Sequence, residues 1–573
     1  LALEALTAVP FFDRPLWKTV WVLDVLREDD TNDLRKARGA FFTPSPVTDY
    51  IASWAMTHGT TRVLEPSCGE AAFLLSADKF AKARKLPQVS YSGVELFETS
   101  ARFAEMILAD AGIEADVHVS DFFSVVPNPV HDCVIGNPPY IRYQEHTGES
   151  RERSRAAAAA AGVGLSELAS SWAAFVVHSA QFLRRGGRLG LVLPAELLSV
   201  NYAAPVRRFL LESFKKVELV LFSERVFPTV QEEVVLLLAE GFQEGPTDRF
   251  ALFQAESVQG LSSMNAPSTW IPGAAGEKWT ASMVGPRARS IYDASLSGSG
   301  FSVLHDWGET SLGAVTGNNS FFALTWDQVK ERGLNRNDLV RISPPGSRHL
   351  RGLELSARRL RQLSEEGKAT YLFRPAGAPS PAGEDLIREG ESDRVNDAYK
   401  CRVRSPWWRV PLVSIPDLFL TYMNADTPRL TTNNAGVHHL NSVHGVYFRL
   451  EHRELGRELL PIASINTLTM LGAETVGRAY GGGMLKIEPK EADLLPVPSP
   501  TLVAAQAEAL HAIRSRVASA LRNGDLPQAV ELVDEVILKS GLGLADSDIK
   551  ELKSAQSALY SRRKARSKPV LRG

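Results

Sequence analysis

The residues best suited to chemistry in this sequence are GNPPYIRY, 136–143, directly after the apolar run DCVI. Two consecutive prolines cannot continue a sheet, because neither has the N–H that a ladder requires, so a strand must end here. Ligands of open α/β sheets bind outside the carboxyl ends of strands, which makes this a site-bearing position. The Asn137 amide oxygen and the Pro138 carbonyl accept hydrogen bonds, and Tyr140 adds a flat apolar face. Together they suit a planar amine. The amino group of an aromatic base is a poor nucleophile because its lone pair is delocalised into the ring; two acceptors on its hydrogens favour the tetrahedral nitrogen that can attack. As a methyl group arrives from a sulfonium, positive charge moves onto that nitrogen, and a desolvated aromatic face stabilises a cation by on the order of 1–2 kcal/mol. The plain alternative for these residues is a Pro-Pro turn with a packed tyrosine.

Three further segments carry the same logic. VLEPSCGEAAFL, 63–74, is a strand, a small-residue turn with Gly69 and a helix, the arrangement that lets backbone approach a bound cofactor and aims helix amides at it. It lacks the full GxGxxG of a dinucleotide fingerprint. Glu95 in YSGVELFE ends a second strand where an acid can hold ribose hydroxyls. Asp121 and Phe122 in HVSDFF end a third, one able to accept from an adenine amino group and the other to stack on its ring. Each is weak alone, since acids at strand ends are common loop residues; the ordered set carries the argument.

The elements that must position these residues follow from the pattern between Thr61 and about Glu240. Short runs rich in Val, Ile and Leu alternate with helical segments, which predicts a mostly parallel sheet covered on both faces. The expected strands are TRVLEP, VSYSGVEL, DVHVSDF, HDCVIGNPP, GRLGLVLP, KKVELVLF and EEVVLLLAE. AAFLLSADKFAKA, ETSARFAEMILADAG and SSWAAFVVHSAQFLRRGG are expected helices, the last closed by Gly186 and Gly187 as a C-cap. A composition break at GFQEGPTDRF sets a domain boundary near residue 244. Beyond it a mixed α+β region is expected, ending in two helices, TLVAAQAEALHAIRSRVASALRNG and LPQAVELVDEVILKSG.

Composition sets the outer bounds. At 573 residues the chain exceeds one ordinary core. Its 44% hydrophobic and 23% charged content matches globular usage and argues against disorder or collagen-like repetition. No run approaches the ~18 apolar residues of a membrane span, the first stretch lacks the basic start of a signal peptide, and Cys68, Cys133 and Cys401 form no CxxC pair. A reducing cytoplasm is expected. The formal net charge of -2 means that any polyanion is held by a local patch, with CRVRSPWWR near 405 and SRRKARSK, 561–568, as candidates.

GAFFTP (39–44), the glycine-containing turn, Glu95, Asp121 with Phe122, NPPY and a later FP-containing strand together resemble the adenine-specific DNA methyltransferases of restriction-modification systems, in the gamma, TaqI-like arrangement. The resemblance runs from about Gly39 to Glu240. It implies a Rossmann-like catalytic domain over 39–243, preceded by a helical extension, 1–38, and followed by a DNA target-recognition domain, 244–573. It implies S-adenosylmethionine as donor, no metal, and Thr43, Glu65, Ser67, Glu95, Asp121, Phe122 and Pro139 at cofactor-contacting positions. Asn137 and the Pro138 carbonyl would hold the target amine, Tyr140 would stack on the extruded adenine, and Phe227 in RVFPTV would pack against it. Double-stranded DNA is the implied partner, with a cognate restriction endonuclease or neighbouring defence proteins as further ones and no membrane.

The second region resembles larger relatives of the same kind less sharply, through AVTGNNSFFALT, SPWWRVP, PRLTTNNAG and GGGMLKIEPKEADLLPVPSP. Asn318, Asn319, Trp407, Arg409 and Lys486 are the expected DNA contacts, because amide pairs suit base edges and a Trp-Arg cluster suits stacking and phosphates. A plain turn and a core tryptophan are the bland readings. His438 and His439 have no carboxylate or cysteine at metal spacing and are expected to be structural.

NPPY also occurs in methyltransferases of a glutamine amide in release factors and of ribosomal RNA, which are the same-chemistry rivals. The residues after 243 favour a duplex target, which needs both sequence recognition and base extrusion. A fused restriction enzyme is a second rival, although no PD…(D/E)xK nuclease pattern is found and the roughly 38 residues before GAFFTP are not expected to hold a nuclease. A catalytically silent DNA-binding protein is the third, and intact NPPY argues against it.

Overall fold

The protein was analysed as a computed structural model that describes residues 43–224, 226–227 and 233–565. The expected extension 1–38, residues 39–42 of GAFFTP and the last basic residues, 566–568, lie outside the described residues. The chain divides into two compact units, Leu1–Trp279 and Thr280–Gly573.

The first unit is built on a nine-stranded sheet: β1 Arg62–Glu65, β2 Ser90–Glu95, β3 Ala115–Val119, β4 His131–Gly136, β5 Leu183–Pro194, β6 Phe214–Phe222, β7 Val234–Phe242, β8 Phe250–Ala255 and β9 Ser268–Trp270. The spatial order is β3-β2-β1-β4-β5-β7-β6-β8-β9. β1 to β5 are parallel, β7 runs antiparallel between β5 and β6, and β8 is parallel to β6. All seven expected strands form, because runs such as VLE, DCVIG and VVLLLA are buried on both faces and have no polar side to turn outward. The order reverses at β1: β2 and β3 lie to one side and β4 to the other, which opens a crevice at the carboxyl ends of β1 and β4. Opposite that crevice the Asp132 carboxylate accepts from the amides of Thr61 (2.7 Å) and Arg62 (2.8 Å) and from the Thr61 hydroxyl (2.9 Å), which fixes the start of β1 against β4.

Two expectations change. The helix expected over SSWAAFVVHSAQFLRRGG is Ser171–Ala180 only, and β5 begins at Leu183. Gly186 and Gly187 are therefore not a helix cap. They sit where the β4–β5 register slips between His131↔Leu183 and Cys133↔Arg188, and Gly186 supplies the positive φ (78°) that such an irregularity needs. The boundary near 244 also moves. GFQEGPTDRF is the turn from β7 to β8, and the first unit closes at Trp279, whose fully buried indole lies 4.4 Å from the Phe250 ring centroid. A turn rich in Gly and Pro inside a sheet has the composition of a linker, which is why the two are confused from sequence.

The second unit is mixed α+β. An antiparallel sheet orders Gly308–Leu312, Val443–Phe448, Leu418–Thr421 and Leu430–Thr432. A three-stranded sheet places Tyr371–Phe373 between Ala323–Leu324 and Leu339–Arg341, and another places Met484–Lys486 between Met423–Asn424 and Arg478–Tyr480. Its largest core gathers helices Arg453–Ala463, Thr467–Val476, Ala507–Arg522 and Leu526–Asp534. After the two expected C-terminal segments comes a third helix, Asp546–Ala565. Among the described residues no single helix is long and apolar enough to cross a membrane.

Candidate active site

The candidate site lies at the reversal of strand order. β1 and β4 pair through Val63↔Cys133 and Leu64↔Val134, so their ends at Glu65 and Gly136 are neighbours. Gly136 leaves little room there, since a Cβ would lie 3.2 Å from Pro66 Cδ and would have to push the ring aside by a few tenths of an ångström. Immediately beyond, Asn137 Nδ2 donates to Thr43 Oγ1 (3.2 Å), and Ser67 Oγ donates to the Asn137 carbonyl (3.3 Å). Asn137 Oδ1 accepts from the Tyr140 hydroxyl at 2.8 Å, and the same hydroxyl lies 2.9 Å from the Val192 carbonyl on β5. An amide oxygen has two lone pairs, so Oδ1 keeps one acceptor direction for an incoming donor. The amide orientation is fixed from both ends, by Thr43 and by Tyr140.

The loop carrying these residues is tied to the start of helix Ser171–Ala180. Ser171 Oγ donates to the Pro139 carbonyl (2.5 Å) and accepts from the Ile141 amide (2.9 Å), while the Ser171 amide donates to the Ile141 carbonyl (3.0 Å). Proline leaves a loop short of donors, and a buried serine at a helix start supplies one without disturbing the helix. Sequence reasoning missed Ser171, because nothing in the spacing of NPPY and SSW shows that they meet.

The acidic residues divide by surroundings. Glu65 is 2% exposed, and its Oε2 accepts from the Leu74 amide at 3.2 Å. Burial pushes its carboxyl well above the usual carboxylate range, against the opposing pull of the Leu74 and Phe73 amides. It has no cationic partner among the described residues. Glu95 accepts from the Gly69 amide (3.0 Å) and the Phe97 amide (3.1 Å), bridging the turns after β1 and β2. Gly69 is left-handed (φ 50°) and so is Ala71 (φ 57°), which makes the turn before helix Ala72–Ala83 tight enough to meet that carboxylate. Asp121 accepts from the Phe123 amide (3.0 Å) and pairs with Arg153 Nε (3.2 Å) on helix Gly148–Ala160. Leu96 and Phe97, directly after Glu95, are exposed apolar side chains that the sequence reading did not single out.

Two aromatic assignments do not fit as expected. Phe122 is 3% exposed and stacks on Phe175 and Phe182, with His178 edge-on, so it is a core residue of the wall. Its half-buried neighbour Phe123 keeps exposed surface and meets Phe175 edge-on at 4.7 Å. In a strand-end DFF either ring can turn inward, and the apolar face of helix Ser171–Ala180 takes Phe122. Phe227 is 4% exposed and belongs to the same buried cluster as Val220, Phe222 and Val226, which makes it a packing residue. Pro138 is buried, and Pro139 and Tyr140 are half-buried at the same strand end.

In the second unit the expected DNA contacts are engaged internally. Asn318 caps helix Asn319–Phe322 through the Phe321 amide (3.2 Å), and Asn319 accepts from Thr316 Oγ1 (2.6 Å). Trp407 Nε1 donates to Glu391 (3.1 Å), and its ring packs against Phe321 and Phe322. Arg409 donates to the Gly377 carbonyl (3.1 Å) and lies over Trp408. Lys486 sits 2.7 Å from Glu488, with its ammonium 5.3 Å from the ring centroids of both Tyr422 and Tyr480. Of the two basic candidates, Arg404 in CRVRSPWWR donates to the Val315, Thr316 and Trp407 carbonyls. Arg563 in the tail is buried against Glu474 (2.7 Å) and the Asp426 and Gly483 carbonyls. His438 bonds the Val413 carbonyl (2.8 Å), and His439 is fully buried beside Phe419, as structural residues are.

A sheet of this order with an Asn-Pro-Pro-Tyr loop at its reversal defines a Rossmann-like methyltransferase. Residues 24–259 match the family model described as N-6 DNA Methylase, and residues 276–538 match that of the C-terminal domain of Type II methyltransferase M.Eco57I. The chain is 25% identical over 480 residues to the Type II methyltransferase M.XamI of Xanthomonas campestris pv. amaranthicola, covering 80% of this chain and 85% of that protein. It is 21% identical over 473 residues to M.AccI of Acinetobacter calcoaceticus, covering 80% and 84%. Among solved structures, the Type IIL restriction-modification enzyme MmeI in complex with DNA shares the fold, with TM-score 0.57 and 12% identity over 90% of this chain and 75% of that one. The chain thus carries an N-6 DNA methylase domain followed by a region matching the C-terminal domain of a Type II methyltransferase, and it is similar to Type II methyltransferases over four fifths of its length.

Proposed function

We propose that the protein transfers a methyl group from S-adenosylmethionine to the exocyclic amine of an adenine extruded from a specific double-stranded DNA sequence. The observation that carries this reading is the Asn137 side chain, held by Thr43 and Tyr140 with one acceptor direction left on Oδ1, next to the end of β1. When bound, the donor supplies an electrophilic methyl group on a sulfonium. Its fit rests on the acids present. Glu65 is buried with no countercharge among the described residues, and a cationic ligand would offset the cost of ionising it. Glu95, already spanning two turns, suits a pair of vicinal hydroxyls, and Asp121 with Phe123, Leu96 and Phe97 suits a purine. Thr43, Ser67 and Pro139 complete the wall.

The residues of this chain then do three things. Asn137 Oδ1 and the Pro138 carbonyl accept from the two amine hydrogens, turning the nitrogen lone pair toward the methyl group. Tyr140 holds the Asn137 amide through its hydroxyl and offers its ring to the base. The loop excludes water while Ser171 keeps the Pro139 peptide in place. The surplus proton leaves to water once the methylated amine is an ammonium. In the cell the product would be protected host DNA, in a cytoplasmic restriction-modification or related defence system with an endonuclease as partner.

The test is methyl transfer from labelled donor to unmethylated DNA, with N6-methyladenine identified after digestion to nucleosides. Label found only in RNA or in a protein glutamine would overturn the DNA reading. Strand cleavage that appears only with magnesium would add a nuclease. Glu95→Ala should weaken donor binding about tenfold or more by calorimetry, as a lost charge-assisted pair would, and unchanged affinity would remove Glu95 from the site.

A further inference from the structure

The second unit carries a group of side chains that its own packing does not use up. At one end of the three-stranded sheet, Tyr371 pairs across strands with Arg341 on one side and Leu324 on the other, and Trp326 follows Leu324 by two residues. The Trp326 and Tyr371 ring centroids are 5.5 Å apart at 30°, and the Arg341 guanidinium lies 4.6 Å from the Tyr371 centroid with Nη1 donating to its hydroxyl at 2.7 Å. Trp326 is nevertheless 45% exposed. The result is a half-exposed indole set beside a tyrosine ring that a guanidinium holds in turn.

The surrounding charge is one-sided. Residues 331–374 hold ten Lys and Arg against five Asp and Glu. Lys368, three residues before Tyr371, is exposed and makes no side-chain hydrogen bond or ion pair among the described residues. The same holds for Arg358 and Arg361, which share one side of helix Ala357–Glu365. That helix is joined to the strand start by the Thr370 to Ser364 hydroxyl contact of 3.1 Å, so its end lies near the stack. Cations left unpaired on an exposed surface suit phosphates, and a half-exposed indole suits the apolar groups a duplex presents in its grooves, the thymine methyl and the deoxyribose.

We propose that this end of the sheet, with Trp326 as an apolar contact in a groove and Lys368, Arg358 and Arg361 as phosphate contacts, is a duplex-DNA contact surface of the second unit. The proposal rests on the DNA reading above and names residues that reading leaves open. It is tested on the full chain with a labelled 30-base-pair duplex of mixed sequence, titrated at several salt concentrations, alongside methyl transfer to unmethylated plasmid.

Trp326→Ala should weaken duplex binding about tenfold, and Trp326→Phe should keep most of the wild-type affinity. Lys368→Gln with Arg358→Gln and Arg361→Gln should flatten the slope of log affinity against log salt by about 2 to 3, the change expected for three lost phosphate contacts. Donor affinity should stay at its wild-type value in each variant, and the melting temperature should be unmoved in the three-charge variant and in Trp326→Phe. Unchanged duplex affinity and salt slope, in a wild-type background that binds and methylates DNA, would overturn this surface alone. A wild-type protein that neither binds nor methylates DNA would overturn the functional reading and this proposal with it.

Discussion

In the first unit the polar side chains of the candidate site stand at the ends of adjacent parallel strands, where backbone amides and hydroxyls orient them without consuming their acceptors. In the second unit Asn318, Asn319, Trp407, Arg409 and Lys486 are each committed to a cap, a turn, a carbonyl or a salt bridge. Charge divides in the same way. Residues 1–279 hold 26 Lys and Arg against 34 Asp and Glu, and residues 280–573 hold 38 against 32, so the chain's near neutrality conceals an acidic unit and a basic one. The difference teaches that topology concentrates function in a parallel sheet, because every strand end faces one crevice. A mixed α+β unit has no such crevice, and there residues resembling contact motifs serve the fold as readily as a ligand.

The comparison breaks first if the units do not divide where the sheet ends. A chain ending at residue 243 removes β8, which pairs with β6, and the buried Trp279, so it should yield no cooperatively melting protein. A chain ending at 279 should fold and bind donor by calorimetry while losing specific DNA binding. Equal behaviour of the two would return the boundary to the composition break. Next in size is Asn137→Ala, which should lower methyl transfer by about 10² to 10³-fold, as loss of a preorganised polar contact to the transition state does, with donor and duplex affinity close to wild type. A comparable loss from Asn318→Ala in the second unit would show that the contrast between the units is misplaced.

Where sequence and structure agree, short-range chemistry is the reason. Asn137, Tyr140 and Glu95 are legible because prolines and apolar runs mark strand ends, and strand ends in an α/β sheet share one edge. What stayed hidden depends on contacts distant in sequence. Ser171 meets Pro139 across thirty-two residues, Arg153 reaches Asp121 across the same number, and the choice between Phe122 and Phe123 is made by Phe175 and Phe182. Gly186 and Gly187 were legible as a backbone exception but not as to which one, since helix caps and strand irregularities both call for a positive φ. The tail arginines read as a local patch for a polyanion, whereas Arg563 is buried by partners eighty and more residues earlier.

A pH titration sharpens the contrast in stability. His439 is fully buried, both its ring nitrogens lack a hydrogen-bond partner among the described residues, and burial lowers its pKa to about 4, with the His444 and His438 charges adding to the effect. The unfolded chain takes up a proton as pH falls past ~6.5 while the folded chain does not until about 4, so stability is lost across that window. The expected loss by pH 4 is up to about 3 kcal/mol, and His439→Phe should remove much of it from denaturant titrations at pH 7 and pH 4.5. In the first unit His178, lowered chiefly by burial but bonded to the Phe122 carbonyl at 3.1 Å, adds a loss of the same sign below ~6.5. An acid midpoint unmoved by His439→Phe would show that the ring is hydrated in solution.

The smallest expected effect is the sharpest test of the second unit. Lys486 is already neutralised by Glu488 at 2.7 Å and flanked by two tyrosine rings, an arrangement in which a phosphate would have to displace a carboxylate. Its pKa is nevertheless raised: burial, the largest influence, lowers it, and the contacts with Glu488 and Tyr422 outweigh that loss. The ammonium is thus bound where it is, on the strand that pairs with both Arg478–Tyr480 and Met423–Asn424. Lys486→Gln should therefore change duplex affinity by less than about twofold and leave the salt slope where it was, while the melting temperature drops slightly because Glu488 keeps, among the described residues, only Arg478 as a cationic partner at 3.2 Å. A phosphate contact predicts the reverse, with the slope falling by about 1 and the melting temperature unmoved. A flattened slope in Lys486→Gln would mean that Glu488 gives up its partner when DNA arrives, and the internal salt bridge would then be a resting state of the contact surface and not a substitute for it.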